Sequence, residues 1–420
     1  MITRCLNLDW LEVHCLEPSG PRNAEYFRSC GFEVFQRNYG TRVYDEMFTI
    51  LEPNSDEPMI EIRRSPVGLK NPLAFQVLDP HSCHVRLVNR SCYYPQPAYF
   101  LFNFLMQHSF SIMRISRIDL ALDFEKFDSN INPQDLINRF LKHNYSKINQ
   151  GEVTAHGKDL WDGRFWHSLK WGSPKSMITT KLYDKTMELK DKKDKPYIRQ
   201  SWATHGLVDD FITLTKKKPD GTIYKPTIWR LEFSIMSSVK KWFVMEDYRS
   251  NKKKIRSVHN TLDEYFSNEQ CLAIFASLVD HYFHFKKVRR NEKGELMRKD
   301  RCEDVSLFSF GEQPAFYKPE TPASAKPVNR LDEALRKKLE EYKQKTTNSS
   351  IISACDLILE DLQNKHIVNA AAHRWDANEL TLLRQLISMR IKKSDVPYQQ
   401  TLDEVKGLIQ LFGEDSFEET

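Results

Sequence analysis

The chain has 420 residues, of which 40% are hydrophobic and 12% aromatic, and its net charge is +5. This composition excludes a disordered chain, and the length allows a sizeable core and two or three domains. A net charge this small permits nucleic-acid binding without arguing for it, so the distribution of charge matters more than its sum.

The eight cysteines show no CxxC pair and no zinc-like spacing, which predicts reduced thiols. The N-terminal sequence MITRCLNLDWLEVHCLEP lacks the apolar core of a signal peptide, and no stretch approaches 18 consecutive apolar residues. We therefore expect a cytoplasmic protein without membrane contact. The chain also lacks a P-loop and a GxGxxG pattern, which argues against helicase activity and a nucleotide cofactor.

The N-terminal part of the chain has the pattern of a largely β region. Strands are predicted at 7–15, 42–51, Met59–Arg64 and His84–Arg90. An aromatic-rich helix is predicted at Ala98–His108. Further helices are predicted after the Asn132–Pro133 cap, around Met187 and Leu189, near 201–215 and at about 262–285.

An eight-residue stretch, Arg117–Phe124 (RIDLALDF), alternates strictly between apolar and other residues. Such alternation is typical of a half-buried strand. The face opposite the apolar one carries Asp119 and Asp123, although Asp is disfavoured in strands. Solvation is one explanation for two carboxylates there. A divalent cation is another, because Mg²⁺ prefers carboxylate oxygens.

Residues 177–184 alternate in the same way after the turn Gly172–Pro174. The alternation places Lys181 and Tyr183 together on the polar side of the predicted strand, and Lys185 follows directly. A single tyrosine in such a position is most often an ordinary surface residue. The neighbouring motifs change that interpretation.

A third alternating stretch, Trp229–Ile235 (WRLEFSI), places Arg230 and Glu232 opposite its apolar residues. Three strands with apolar backs and reactive groups in front indicate one sheet face with a site on it. We therefore predict an α+β fold with an antiparallel sheet that contains strands 117–124, 177–184 and 229–235.

The rest of the chain suggests three regions: 1–310, a Pro-rich linker at 311–327, and a helical accessory module at 328–420. Basic residues cluster at Lys190–Lys195, Lys216–Lys218, Lys252–Arg256 and Lys286–Arg301. Any one of these clusters fits an ordinary solvated loop. Four of them around a candidate site fit a surface that binds phosphates better.

In this order, the motifs RIDLALDF, WGSPKSMITTKLYDK and WRLEFSI resemble the replication initiation factor family of rolling-circle plasmid Rep initiators and related conjugative-element relaxases. The resemblance covers about residues 115–236. It implies a relaxase-like catalytic region that nicks one DNA strand at an origin and stays joined to the 5′ end through a tyrosine. It also implies a divalent metal, Mg²⁺ or Mn²⁺.

By this resemblance, Tyr183 matches the nucleophile in the family's YxK motif. Asp119 and Glu232 match acidic positions that we associate with the metal. Asp123 is either a third ligand or a solvated residue. Many tyrosine nickases carry a histidine–hydrophobic–histidine metal motif, which this chain lacks, so the ligand shell stays open. Rival tyrosines, Tyr93 and Tyr94, have no carboxylate strand motif around them in the sequence.

The basic residues near the motifs are assigned by their position. Lys181 and Lys185 are expected to favour the phenolate of Tyr183, whose ordinary pKa is near 10. Arg117 and Arg230 either bind DNA phosphates or neutralise the carboxylates. Further candidates for DNA contacts are Lys170 and Lys175.

Two other classes of function compete with the covalent nickase. One is a metal-dependent nuclease without a covalent intermediate, in which Tyr183 is structural. The other is a DNA-binding regulator on the same fold, against which the presence of Asp119, Tyr183 and Glu232 together argues. The expected partner is origin DNA, single-stranded or in a hairpin, with a helicase and a second copy of the chain left open.

Overall fold

The structure is a computed structural model that describes residues 3–320, with gaps at 38, 42, 67–78, 89, 130, 149–150, 161–162, 174, 192–194, 247–253, 290–296, 298–300 and 314. Residues 1–320 form one compact unit. The predicted helical module 328–420 and the end of the predicted linker lie outside the described residues.

Strands and helices alternate irregularly along the described chain. The strands are β1 (Arg4–Leu16), β2 (Val34–Gln36), β3 (Tyr44–Leu51), β4 (Pro58–Pro66), β5 (Ser82–Leu87), β6 (Ser111–Phe124), β7 (Tyr145–Lys147), β8 (Val153–Leu160), β9 (Gly163–Trp171), β10 (Ile178–Asp184), β11 (Lys216–Lys217), β12 (Ile223–Tyr224), β13 (Trp229–Met236), β14 (Lys241–Glu246), β15 (Lys254–His259), β16 (Phe285–Lys287), β17 (Asp304–Val305) and β18 (Ala315–Pro319). The α-helices are α1 (Ala24–Ser29), α2 (Pro97–Gln107), α3 (Pro133–Leu141), α4 (Lys185–Asp191), α5 (Pro196–Thr204) and α6 (Asn268–Tyr282), and 3-10 turns lie at Ser91–Tyr93 and Leu262–Tyr265.

A ten-stranded sheet in the order β2-β3-β4-β5-β1-β6-β13-β10-β9-β8 organises the unit. Each of its strand pairs is antiparallel. The predicted α+β class with an antiparallel sheet is therefore confirmed.

The three motif strands are direct neighbours in this sheet, with β13 between β6 and β10. In the register, Arg230 lies opposite Asp123 on one side and opposite Tyr183 on the other. Glu232 lies opposite Lys181. Asp119 and Glu232 thus share a face, as the period of two in each motif predicts.

The apolar side chains of the motif strands form one face of the sheet, and α2, α3 and α6 contribute to the same hydrophobic core. Phe233 of β13, for example, meets Phe275 of α6 at a ring-centroid distance of 5.1 Å. Each of these helices has a helix start signal in its sequence. In α2 and α3 it is a proline at the first helical position, and in α6 it is the N-cap residue Ser267.

A smaller apolar cluster covers one end of the opposite, polar face. It consists of Cys5, Leu189, Ile198, Trp202, Leu207, Val208 and Ile228, and it contains the buried sides of α4 and α5. Sequence periodicity predicted helix 201–215, whereas α5 ends at Thr204 and turns follow it. This displaced helix decides which part of the polar face is closed to solvent.

The predicted linker begins within the folded region. Residues Ala315–Pro319 form β18, which pairs with β14. Two buried residues of this strand, Tyr317 and Pro319, hold it there, and the Tyr317 amide donates to the Ser277 hydroxyl of α6. Within the described residues, no helix is long and apolar enough to cross a membrane.

Candidate active site

Tyr183 lies near the end of β10 on the polar face, partly buried. Its hydroxyl donates a hydrogen bond to Glu232 Oε2 at 3.0 Å. It accepts one from Lys185 Nζ at 3.4 Å. The Tyr183 hydroxyl therefore has a carboxylate that can accept its proton and a cation that can stabilise negative charge on its oxygen.

Glu232 links the tyrosine to Lys181. Its other oxygen, Oε1, accepts from Lys181 Nζ at 2.6 Å, and this ion pair joins register partners of β10 and β13. The carboxylate is almost fully buried, whereas 32% of the lysine side chain is exposed. Although burial favours the neutral amine, the charge of Glu232 raises the pKa of Lys181.

The environment of Tyr183 favours the neutral phenol. Burial, together with the charge of Glu232, raises the pKa of Tyr183 well above its ordinary value. Burial, followed by the charge of Arg230, lowers the pKa of Lys185. The predicted phenolate is therefore not the resting form. Lys181 contacts Glu232 and Lys185 contacts the phenol, so the arrangement suits transfer of the proton to a carboxylate during attack.

Asp119 lies on the neighbouring strand β6 and is held by Arg117. Arg117 Nε donates to Asp119 Oδ1 at 2.9 Å, and Nη2 donates to Oδ2. Burial raises the pKa of Asp119 to about 6, the Glu232 charge adds to this effect, and Arg117 opposes it. The two carboxylates are therefore close enough to repel each other.

The predicted metal position has two candidate ligands from the chain, Asp119 and Glu232. No group of three or more His, Cys, Asp or Glu residues arranged to hold a metal is found in the part of the chain that the structure describes. Mg²⁺ is commonly bound through one or two carboxylates, with waters and substrate phosphates completing its shell. The pair fits such a cation if Arg117 and Lys181, each about one-third exposed, move aside.

Asp123, the predicted third ligand, does not fit this role. Both of its oxygens accept from Arg230, at 2.6 and 2.7 Å, and Oδ2 also accepts from Trp202 Nε1 at 2.7 Å. Asp123 and Arg230 are both 0% exposed. Helix α5 carries Trp202 over this end of the face. The carboxylate is therefore saturated and closed to a cation from solvent.

The burial of Arg230 also corrects its predicted contact with DNA. A fully buried guanidinium with two acidic partners offers no donor to a phosphate outside the protein, so the alternative that it neutralises carboxylates fits. Arg117 is partly exposed, so it can still contact a DNA phosphate. Lys170 lies opposite Lys181 in β9, and Lys175 is exposed in the following turn, so both remain candidates for DNA contacts.

Two residues of this cluster, Asp9 and Tyr93, have no role in the sequence motifs. The register of β1 against β6 shifts between Leu8 and Trp10, and Asp9 is the extra residue of the bulge. A bulge re-aims a side chain. Here Asp9 Oδ1 accepts from Arg230 Nη1 at 2.7 Å and from the Tyr93 hydroxyl at 2.9 Å. In the sequence, Asp9 could have been noticed because an Asp within a predicted strand is unusual.

We expect the stability difference between Asp119→Asn and the wild type to depend on pH in metal-free buffer. The folded-state pKa of Asp119 is raised to about 6. The unfolded chain therefore releases this proton first, and ionisation destabilises the wild-type fold as pH rises from about 4 to about 6. Relative to wild type, the variant should gain on the order of 2 kcal/mol between pH 4.5 and 7.5. Urea unfolding with a chelator measures this, and a difference independent of pH contradicts it.

Comparison with known proteins gives weak structural similarity without a sequence match. No family model matches the chain, and a search of curated proteins finds no match. A solved structure, the rolling circle replication initiator protein from Geobacillus stearothermophilus, is similar over 72% of this chain and 92% of that chain. The TM-score is 0.41 and the sequence identity 13%. A similarity this low carries no argument about activity.

Proposed function

We propose that this chain is a DNA strand transferase of the rolling-circle initiator or relaxase class, which nicks one strand at an origin through Tyr183. The observation that carries the proposal is the hydrogen bond from the Tyr183 hydroxyl to Glu232, with Lys185 on the same oxygen. The order of the three motifs around these residues supports the choice of substrate. The metal-dependent nuclease without a covalent intermediate leaves this contact without a function.

In the proposed reaction, the Tyr183 oxygen attacks the scissile phosphorus. The new O–P bond forms as the P–O3′ bond breaks, and the strand leaves with a free 3′ hydroxyl. Glu232 accepts the phenolic proton through Oε2. Lys181 stabilises the ionised form of Glu232 before the transfer, and Lys185 keeps the phenol oxygen in position. One ester replaces another, so reversal can reseal the strand.

The proposed cofactor is Mg²⁺ or Mn²⁺, which Asp119 and Glu232 would hold once Arg117 and Lys181 have moved aside. Its charge would then replace that of Lys181 beside the ionised Glu232. A cation bound there would act as a Lewis acid on the scissile phosphate. The partly exposed Arg117, with Lys170 and Lys175, is the proposed contact to the flanking DNA backbone. In this proposal a partner helicase unwinds the DNA. The chain acts either alone or with a second copy of itself.

The direct test is incubation of the protein with labelled single-stranded origin DNA and Mg²⁺ or Mn²⁺, followed by denaturing electrophoresis. The expected result is a labelled protein band that resists denaturation, together with a strand that ends in a free 3′ hydroxyl. Cleavage without any such band would favour the non-covalent nuclease. Binding without cleavage at either metal would favour the regulator.

We expect Glu232→Gln to slow nicking by roughly 10²–10⁴-fold, because the amide keeps a hydrogen-bond acceptor but cannot take the phenolic proton. Both variants should raise the metal concentration needed for half-maximal nicking, but only Asp119→Asn should approach the wild-type rate at saturating metal. Single-turnover rates across a Mn²⁺ titration separate the two effects. Glu61→Gln is the matched control, since Glu61 is also a buried carboxylate of the sheet but pairs with Arg63 and Arg86. Wild-type rates in both site variants would discard these assignments.

A further inference from the structure

One edge of strand β1 is free over its first residues. The strand pairs with β6 from Arg4 to Leu16, whereas β5, its neighbour on the other side, pairs with it only from Leu11 onwards. Within the described residues, no strand pairs with the segment 4–10 on that second side. Alternate residues of an antiparallel strand direct their N–H and C=O groups away from one partner. This edge therefore retains backbone groups that can pair with another strand.

The chain after β5 turns away from this edge and leaves a cavity beside it. β5 ends at Leu87, and the chain then forms the 3-10 turn Ser91–Tyr93 and enters α2 at Pro97. Pro95 and Pro97 have no N–H to donate, and Gln96 between them lies at a φ of 49°. This segment therefore does not continue β5 beside β1. The cavity that it borders has a volume of about 940 Å³.

The two walls of the cavity differ in polarity. On the side of α6 it is lined by apolar residues, all of them partly exposed: Leu6, Phe266, Leu272 and Phe310. On the side of α5 it is lined by polar residues: Asn7, Gln200, Ser201 and Thr204. Leu6 and Asn7 are neighbours in β1, so their side chains point to opposite faces of the sheet. A strand added beside β1 would alternate in the same way, with apolar side chains against the first wall and polar ones against the second.

The charged and aromatic groups of the cavity fit a peptide better than a nucleic acid. Two arginines line it, Arg4 and Arg90, and each forms an ion pair with a carboxylate of the protein. The Tyr93 ring packs edge to face against Tyr197, at 5.1 Å between the centroids. Phosphates would therefore meet cations that are already neutralised, and bases would meet rings held edge-on. Among the described lining residues Asp128 is the one carboxylate, so the excess of arginine favours an acidic residue on the bound strand.

We propose that this cavity is a docking site for a partner protein, which inserts an extended segment beside the free edge of β1. The segment pairs with Arg4–Leu8 through backbone hydrogen bonds and places alternating apolar and polar side chains against the two walls. This part of β1 extends over about 17 Å, so a segment of about five to seven residues fills the edge. In such strand addition, backbone hydrogen bonds supply affinity and side-chain pockets supply specificity. Docking at this edge does not depend on the reaction proposed for Tyr183.

A peptide-binding assay with the full chain tests the docking site. The probes are fluorescent heptapeptides that alternate apolar and polar residues and carry one glutamate, such as Ser-Val-Gln-Leu-Glu-Val-Ser. We expect saturable binding, which a peptide of the same composition with its apolar residues contiguous should not show. N-methylation of one set of alternate amides should weaken binding roughly tenfold, since it removes the hydrogen bonds to β1. Methylation of the other set, which points away from β1, should leave the affinity unchanged.

Hydrogen exchange and a pair of variants locate the bound peptide. The amides of Arg4–Leu8 should exchange more slowly when the peptide is bound. Leu272→Arg places a charge in the apolar wall and should weaken binding by about tenfold or more. Met106→Arg is the matched control, because Met106 is an exposed residue of α2 that does not line the cavity. It should bind the peptide as the wild type does.

Absence of binding by every alternating peptide overturns the proposal, and so does protection of amides elsewhere than Arg4–Leu8. Equal affinity for the two N-methylated forms shows that no strand is added, which also overturns it. If oligothymidylate displaces the peptide and protects the same amides, the cavity binds nucleic acid instead. If Leu272→Arg fails to fold, the N-methylated peptides and the exchange rates of the wild-type protein still decide.

Discussion

Replacing Tyr183 by Phe is expected to eliminate both strand cleavage and the covalent protein–DNA adduct. The substitution removes the attacking oxygen and leaves the ring, so DNA affinity should stay at the wild-type level. The fold should lose about 1 kcal/mol, because Glu232 loses one hydrogen bond but keeps its ion pair with Lys181. Electrophoresis of labelled substrate and a binding titration measure the two properties separately.

Tyr224→Phe provides the matched control for this experiment. The Tyr224 hydroxyl also bonds to a carboxylate, Glu125, at 3.1 Å, but it has no contact with the cluster around Tyr183. It should nick and form the adduct at wild-type rates. A first adduct of wild-type yield in Tyr183→Phe, or one mapped to a different tyrosine, would refute the assignment of the nucleophile.

Replacing Arg230 by Leu is expected to destabilise the fold by about 3–5 kcal/mol at neutral pH. The guanidinium is fully buried between Asp123 and Asp9, at 2.6 to 2.7 Å from their oxygens. Its loss leaves a buried carboxylate, Asp123, without a counter-charge. Because protonation then relieves that charge, the variant should recover stability as the pH falls, which urea unfolding at pH 5 and 7.5 can measure.

Arg256→Leu is the control for the same change at the surface. Arg256 Nε bonds to Glu246 Oε1 at 2.9 Å, but about half of each side chain is exposed. Its loss should cost less than about 1 kcal/mol. The double variant Arg230→Leu, Asp123→Leu should recover much of the stability lost in Arg230→Leu. Equal effects of the two arginine substitutions would show that Arg230 does not act through buried charge.

Periodicity in the sequence determined the faces of the three motif strands. Strict alternation in 117–124, 177–184 and 229–235 was sufficient to put Asp119, Glu232 and Tyr183 on one side, since successive side chains of a strand point in opposite directions. The same alternation predicted the antiparallel α+β class. These features depend only on neighbouring residues, and for this reason the sequence reveals them.

The pairing of charges on that face was decided by tertiary structure. Alternation treats Asp119 and Asp123 alike, yet β13 places Arg230 beside Asp123, and α5 closes that end with Trp202. Asp119, beyond the helix, pairs with a partly exposed arginine instead. Burial by an element distant in sequence therefore separates a structural carboxylate from a candidate metal ligand.

Tyr93 and Asp9 belong to the same charged cluster, although nothing in the sequence indicated that they would lie there. In the sequence Tyr93 has no acidic motif near it, and Asp9 lies in a strand whose alternation is interrupted at Trp10. The bulge at Asp9 and the turn that carries Tyr93 bring both to Arg230. Sequence alone determined the strand faces through local geometry. The folded chain decided which charges meet, because pairing and burial depend on strand order and on the helix above.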